Sequence, residues 1–286
     1  AAALKNLDTD RPFQIVVYGT PAEETLGSKC DMIKKGCFHD LDVAFMMHGG
    51  PNTCTDVRCL AQRSFHVTFH GKRAHAALAP DKGRSAFDAL LAAFQGIEFL
   101  REHVPDDVRM HYTVAKLPGP ANVVPAEAEG EFAIRSFSRK TLEGVCERFL
   151  DIIKGASLIA GVDYEIKEGT FFFNKIPVLK LNELLMNNAK LAGAPQLAPP
   201  REKTGSTDFG NVMYEIPGSC IRVAFVPEGT SSHSQEFVDA GKTEAAHNCI
   251  LYGAKAIAGA SMDLIMTDGL MDQVKEEFAE NKKKNQ

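Results

Sequence analysis

No surplus of basic residues is present: 32 Lys and Arg stand against 37 Asp and Glu, a net charge of −5. That balance argues against a nucleic-acid partner and against an anionic membrane surface, since both call for a basic face. No apolar run stands out as long enough to span a bilayer. The seven cysteines show neither CxxC nor zinc-finger spacing, and their odd number suits reduced thiols in a cytoplasmic protein. Gly205 to Val212 (GSTDFGNV) lacks the Lys and the spacing of a phosphate-binding Walker loop. There is also no initiator Met and no signal-peptide pattern. Ala1 to Leu7 (AAALKNL) has the character of a helix end without its N-cap, so the chain is expected to begin inside a domain.

What is present is ordinary in bulk. The chain has 286 residues, 44% hydrophobic and 24% charged, enough for one large domain or two average ones. Phe13 to Thr20 (FQIVVYGT) predicts a strand buried on both faces, Thr25 to Lys35 a helix stopped by Gly36, and Val43 to Met47 a second buried strand. Strand, helix and strand with short links predict a βαβ unit with its two strands parallel. After about Leu60 the pattern changes to half-exposed alternation. Ser64–His70, Met110–Lys116, Glu127–Ser136 and Asp163–Lys167 predict strands, and Ser85–His103 and Leu142–Ala160 predict long amphipathic helices. This β-α-β-β-α-β order is the ferredoxin-like arrangement.

The expected fold is therefore α/β, a mostly parallel sheet interrupted by a ferredoxin-like α+β insertion, with segments 1–61, 62–174 and 175–286. The last segment should contain a helix at Leu179–Leu191, a strand at Ser219–Val226 and a helix at Lys242–Ala260, then a charged, solvated tail from Lys282.

The chemistry starts at Glu23-Glu24, which follow the first strand through a Pro-marked turn. Acidic residues also suit a helix N-terminus on dipole grounds alone. Yet in an open α/β sheet the ligand crevice lies outside the carboxyl ends of the strands, where Glu23, Glu24 and His48 should all fall. Two carboxylates and an imidazole begin a zinc or manganese site, one carboxylate binding metal while its neighbour acts as general base. Cys37-Phe38-His39-Asp40 carries metal-ligand residue types, but it falls at the amino end of the next strand, the wrong edge for that crevice. His66 and His70, in an alternating strand, are expected to be structural, and His103, His111 and His247 have no evident chemical partner.

Five ordered segments, GTPAEE, the strand ending in His48, GKRAHAALAP, NVVP and GSTDFGNV, resemble the M20 family of metallo-aminoacylases and carboxypeptidases over essentially the whole chain. The likeness is greatest to the branch with aminobenzoyl-glutamate hydrolase and the M20-domain dipeptidases. The resemblance implies that Glu23 is the general base and that Glu24, His48 and His233 are metal ligands. It makes the insertion a lid that also mediates homodimerisation, with His75 polarising the substrate carbonyl. It assigns substrate contacts to Asn122, Arg135 and the loop Gly205, Ser206, Thr207. The implied reaction is hydrolysis of the amide bond of an N-acyl amino acid or dipeptide by a metal-activated water, with two divalent ions, zinc or manganese, and lid closure as a gate.

That branch also carries an upstream Cys-Gly-His segment that nothing before Phe13 matches, so the N-terminal part of the catalytic domain is expected to be missing. Two rival readings follow. One is a non-catalytic member that binds a peptide or amino acid, or serves as a dimerising subunit. The other is a single-metal hydrolase using Glu24, His48 and His233.

Overall fold

The computed structural model describes residues 1–285. In chain order the elements are α1 (Ser28–Lys34), β1 (Ala44–Gly50), β2 (Cys54–Thr55), β3 (Ala61–His70), α2 (Ala86–Arg101), β4 (Arg109–Lys116), β5 (Glu127–Ser136), α3 (Arg139–Ala160) and β6 (Asp163–Phe172). They continue with α4 (Leu179–Leu191), α5 (Phe209–Glu215), β7 (Gly218–Ala224), α6 (Gln235–Ala240), α7 (Glu244–Met266) and α8 (Leu270–Asn285). Two compact units result. The first joins Ala1–Cys59 with the chain from Lys175 onward, and the second is Leu60–Asn174.

In the second unit a four-stranded antiparallel sheet has the order β4-β5-β3-β6. With α2 and α3 in its two crossovers, this is the ferredoxin-like topology. Strand alternation separates its two faces. Phe65, Val67, Phe69, Phe132 and Ile134 are buried against Leu90, Ile97, Phe149 and Ile153 of the helices. Ser64, His66, Thr68 and His70 fall on the other face, where His66 Nε2 lies 3.1 Å from Glu129 and His70 Nε2 lies 3.7 Å from Glu165. Helix α3 begins where the Ser138 hydroxyl accepts the Thr141 amide at 3.2 Å.

The first unit is built on a three-stranded sheet of order β1-β7-β2, with β1 and β7 parallel and β2 antiparallel to β7. Both faces are covered. Phe45, Met47, Ile221 and Val223 pack with Leu185, Ala256 and Ala260 of α4 and α7. Met46 and Cys220, one residue out of phase, pack with Phe209, Val212 and Phe38 beside α1 and α5. Gly253 lets α7 approach β1, because a Cβ there would sit 2.6 Å from the Met47 sulfur.

Not every expectation holds here. Phe13–Thr20 is not a strand: its backbone joins no ladder, and Phe13, Val16, Val17 and Tyr18 remain partly exposed. Apolar, β-rich composition provides no partner for the backbone groups, and only Tyr18 is anchored, its hydroxyl donating to the Cys37 carbonyl at 2.5 Å and its ring meeting Phe38 edge-on. Consequently the parallel partner of β1 is β7, far along the chain, and not the segment at 13–20. The charged residues from Lys282 to Asn285 continue helix α8, with Lys283 and Lys284 exposed; Val274 of this helix is buried with Leu181 and Leu264, and Gln286 lies outside the described residues. Finally, α7 is by length and composition apolar enough to cross a membrane. One face of it buries Cys249, Gly253, Ala256, Ala260 and Leu264 against the rest of its unit, while Ile250, Leu251 and Met262 stay exposed. Helix α1 is shorter than expected but ends as foreseen, at Gly36 with φ +76°.

Candidate functional site

Glu23 and Glu24 sit in a tight turn. The Ala22 carbonyl accepts the amides of Leu26 and Gly27, both at 2.9 Å, and Ala22 itself takes φ +62°. A non-glycine residue pays about 1–3 kcal/mol for that conformation, so the turn is held by its surroundings. His233 approaches from the far end of the sequence. Its Nε2 lies 3.9 Å from Glu24 Oε2, and its own backbone is also left-handed, φ +65°. The segment is fixed just beyond by Ser234, whose hydroxyl caps α6 by accepting the Phe237 amide at 3.2 Å, and by an edge-on contact of Phe237 with Phe225. Glu24 and His233 are largely exposed, at 67% and 74% of their side chains. A carboxylate and an imidazole side by side and open to solvent are the start of a divalent-metal site.

His48 lies within β1, opposite Arg222 of β7 on the sheet face shared with α1 and α5. Its Nδ1 is 2.5 Å from the Gly49 carbonyl oxygen and 3.0 Å from Arg222 Nη1. The two contacts demand different tautomers. A guanidinium only donates, so engagement by Arg222 places the imidazole proton on Nε2. Donation to Gly49 places it on Nδ1 and frees the Nε2 lone pair, the form that a metal takes. Burial, then the Arg222 charge, lowers the His48 pKa and so favours the neutral ring that either role needs.

Among the described residues no three His, Cys, Asp or Glu side chains converge as a metal cage. Glu24 and His233 therefore fit a metal as a donor pair, with His48 outside it.

Behind His48 stands a buried charge cluster that the sequence did not reveal. Asp56, 1% exposed, accepts from Lys175 Nζ at 2.9 Å and from Arg222 Nε at 3.1 Å, with Arg201 Nε at 3.8 Å. Lys175 is equally buried. The run Cys54 to Leu60 (CTDVRCL) places Asp56 beside Val57 and close to two cysteines, but it also holds Thr55 and Arg58, so it gave no clear sign of burial. The loop at 204–208 is held at both ends. Thr204 bonds the Arg58 carbonyl through its amide (2.9 Å) and hydroxyl (3.0 Å), and Asp208 accepts from Lys29. Gly205 is exposed, Thr207 Oγ1 accepts the Phe209 amide at 3.3 Å, and the Ser206 hydroxyl is buried without a partner.

The remaining candidates lie in the second unit. The GKRAHAALAP and NVVP segments pair directly: Ala76 N donates to the Asn122 carbonyl at 3.1 Å, Val124 N donates to the Ala74 carbonyl at 2.9 Å, and His75 bridges Val123. His75 Nδ1 accepts the amides of Ala77 and Leu78, each at 3.3 Å. A neutral His75 then carries its proton on Nε2, as an outward donor. Arg135 stands elsewhere. It pairs with Gln62 at the start of β3, whereas His75 follows the end of that strand at His70. Eight residues of strand put these ends about 26 Å apart. Arg135 Nε is buried and has no partner.

Comparison with known proteins supplies the context. Residues 62–158 match the family model described as the peptidase dimerisation domain of M20. The chain is 30% identical over 281 residues to the Xaa-Arg dipeptidase of Mus musculus, covering 97% of this chain and 65% of that protein. It is 27% identical to one of the p-aminobenzoyl-glutamate hydrolase subunits of Escherichia coli K12, covering 91% of this chain and 66% of the relative. The chain thus spans just under two thirds of the length of these relatives. Among solved structures, a Bacillus subtilis protein described as a dinuclear metal-binding peptidase from the M20 family superposes with a TM-score of 0.63 at 17% identity, over 86% of this chain and 64% of its own.

Proposed function

From its likeness to the M20 dimerisation domain over residues 62–158 and to the Xaa-Arg dipeptidase of Mus musculus, we propose that this chain is an M20-type metal-dependent amidohydrolase cleaving an N-acyl amino acid or dipeptide. The observation that carries the reading is the meeting of Glu24 and His233 at 3.9 Å, with Glu23 beside them on a strained turn. Zinc or manganese is the ion that such donors suit, and bound there it would supply electrostatic activation of water and of the amide carbonyl. Glu23 takes the proton of the attacking water and returns it to the departing amine. His75 contributes its Nε2 proton to the carbonyl oxygen, and Asn122, its neighbour across the paired loops, adds a further contact. The unpartnered Nε of Arg135 suits a substrate carboxylate, as does the loop Gly205–Thr207.

The separation of Arg135 from His75 along β3 agrees with a homodimer formed through the second unit, in which one substrate meets groups from two chains. The reading places the protein in the cytoplasm, with small-molecule substrates and neither nucleic acid nor membrane as partner. The rival reading is a binder of a peptide or amino acid without turnover.

The deciding comparison is Glu23→Gln against the parent chain on a panel of dipeptides and N-acyl amino acids, with zinc content measured in both. Loss of about 10²–10⁴-fold in turnover at unchanged metal content is expected for a general base. Equal turnover in the two proteins would refute Glu23 as base. A parent chain that binds these ligands without cleaving them would establish the binder.

A further inference from the structure

Asp208 occupies the N-cap position of α5, where its carboxylate would ordinarily accept an amide of its own helix, yet it makes no such bond. Both of its oxygens turn to Lys29 instead. Oδ1 accepts from Lys29 Nζ at 2.8 Å and Oδ2 accepts the Lys29 backbone amide at 3.1 Å. The pair is sealed, with Asp208 0% and Lys29 7% exposed. A buried ion pair of this kind contributes little net stability, because desolvation offsets its attraction, but it fixes geometry.

Its two ends belong to segments already implicated. Lys29 lies in the first turn of α1, just after the turn that carries Glu23 and Glu24, and Asp208 closes the loop Gly205–Thr207. Helices α1 and α5 cover the sheet face on which His48 and Arg222 stand. Near each member of the pair, Ser28 and Ser206 carry buried hydroxyls with no partner. A segment that leaves a hydroxyl unsatisfied is not arranged for its own hydrogen bonding alone.

We propose that Lys29 and Asp208 are positioning residues that hold the substrate-contacting loop Gly205–Thr207 against the turn bearing Glu23 and Glu24. This rests on the amidohydrolase reading for the role of the loop, while the physical coupling of the two segments stands independently of it. Neither side chain touches substrate. Lys29 acts through Asp208 on the loop, and Asp208 acts through Lys29 on the turn.

The test is hydrogen–deuterium exchange on the whole chain for the parent, Lys29→Met, Asp208→Asn, the double variant and Lys29→Arg, paired with dipeptide kinetics. Lys29→Met should accelerate exchange at 204–208, and Asp208→Asn should accelerate it at 22–29, each at least about tenfold, or 1.4 kcal/mol. The β1–β7 ladder should stay protected, the double variant should be no worse than the worse single, and Lys29→Arg should restore protection in part. In kinetics, Lys29→Met, which frees the loop, should raise KM about tenfold with kcat changed less, whereas Asp208→Asn, which also loosens the turn bearing Glu23, should lower kcat as well.

Acceleration spread evenly over the first unit would show a purely structural pair and overturn the proposal, as would an undisturbed partner segment. Should Lys29→Met fail to fold, Asp208→Asn still tests the coupling: faster exchange at 22–29 than in Lys29→Arg, which keeps the charge, supports it, and equal exchange in the two overturns it. Glu23→Gln separates the two ideas. Unchanged turnover there removes the hydrolase assignment of Glu23, whereas the exchange pattern alone judges the coupling.

Discussion

Asp56 shows how much one carboxylate can organise. Burial by itself would push its pKa up, but the charges of Lys175 and Arg222 outweigh burial, and the folded value is lowered. In the unfolded chain the group titrates near about 3.9. Its contribution to stability is therefore complete above that pH and is lost as the pH falls toward the lower folded value. Asp56→Asn would remove the negative charge shared by Lys175, Arg222 and Arg201, the first of them nearly inaccessible to water, and should cost about 3–5 kcal/mol at neutral pH in urea denaturation. The same variant should lose less stability than the parent on acidification below about pH 4. An identical acid limb in parent and variant would show that Asp56 is not the titrating group. Because Arg222 also reaches His48, the variant should disturb the orientation of that ring as well.

Metal binding is the other residue-scale consequence. Since Glu24 and His233 are the donors brought together, Glu24→Ala and His233→Ala should each lower zinc retention after desalting. Equal retention in parent and both variants would move the metal elsewhere.

At the scale of elements, the second unit is held by aromatic packing between its sheet and α3. Phe149 is fully buried, with its ring 4.7 Å from Phe65 and 5.1 Å from Phe132. Phe149→Ala should cost about 3–5 kcal/mol, measured as a shift in the denaturation midpoint at constant m-value. A cost below about 1 kcal/mol would mean that the sheet and helix collapse onto the vacancy, contrary to close packing.

These elements were legible because their signals are local. Alternation at Phe65, Val67 and Phe69 marks the core face of β3, whereas α3 starts at Arg139, three residues before the Leu142 expected, because its serine cap was not read. Phe13–Thr20 was misjudged for the complementary reason: its apolar residues suit a strand, but a strand exists only where a neighbour accepts its hydrogen bonds. The short β2 and α6 were missed because two and six residues carry too little pattern to stand out.

At the scale of the whole molecule, the dimerisation-domain match predicts a particle of two chains. Sedimentation equilibrium of the parent chain should give twice the chain mass at micromolar concentration, and a monomer across the accessible range would remove the two-chain site from consideration. The order of the motifs along the chain was enough to place Glu23, Glu24 and His233 among the candidates, since residue type and neighbouring segments are properties of sequence. It also determined the β-α-β-β-α-β run of the second unit, whose crossovers join neighbouring segments by short connections.

Only the tertiary structure decided that β1 pairs with β7, that Asp56 gathers Lys175 and Arg222 behind His48, and that Lys29 clasps Asp208. Each of these joins residues more than a hundred positions apart, where no period along the chain links one partner to the other. Their meeting depends on which faces are buried together, and that is settled by the packing of the whole unit.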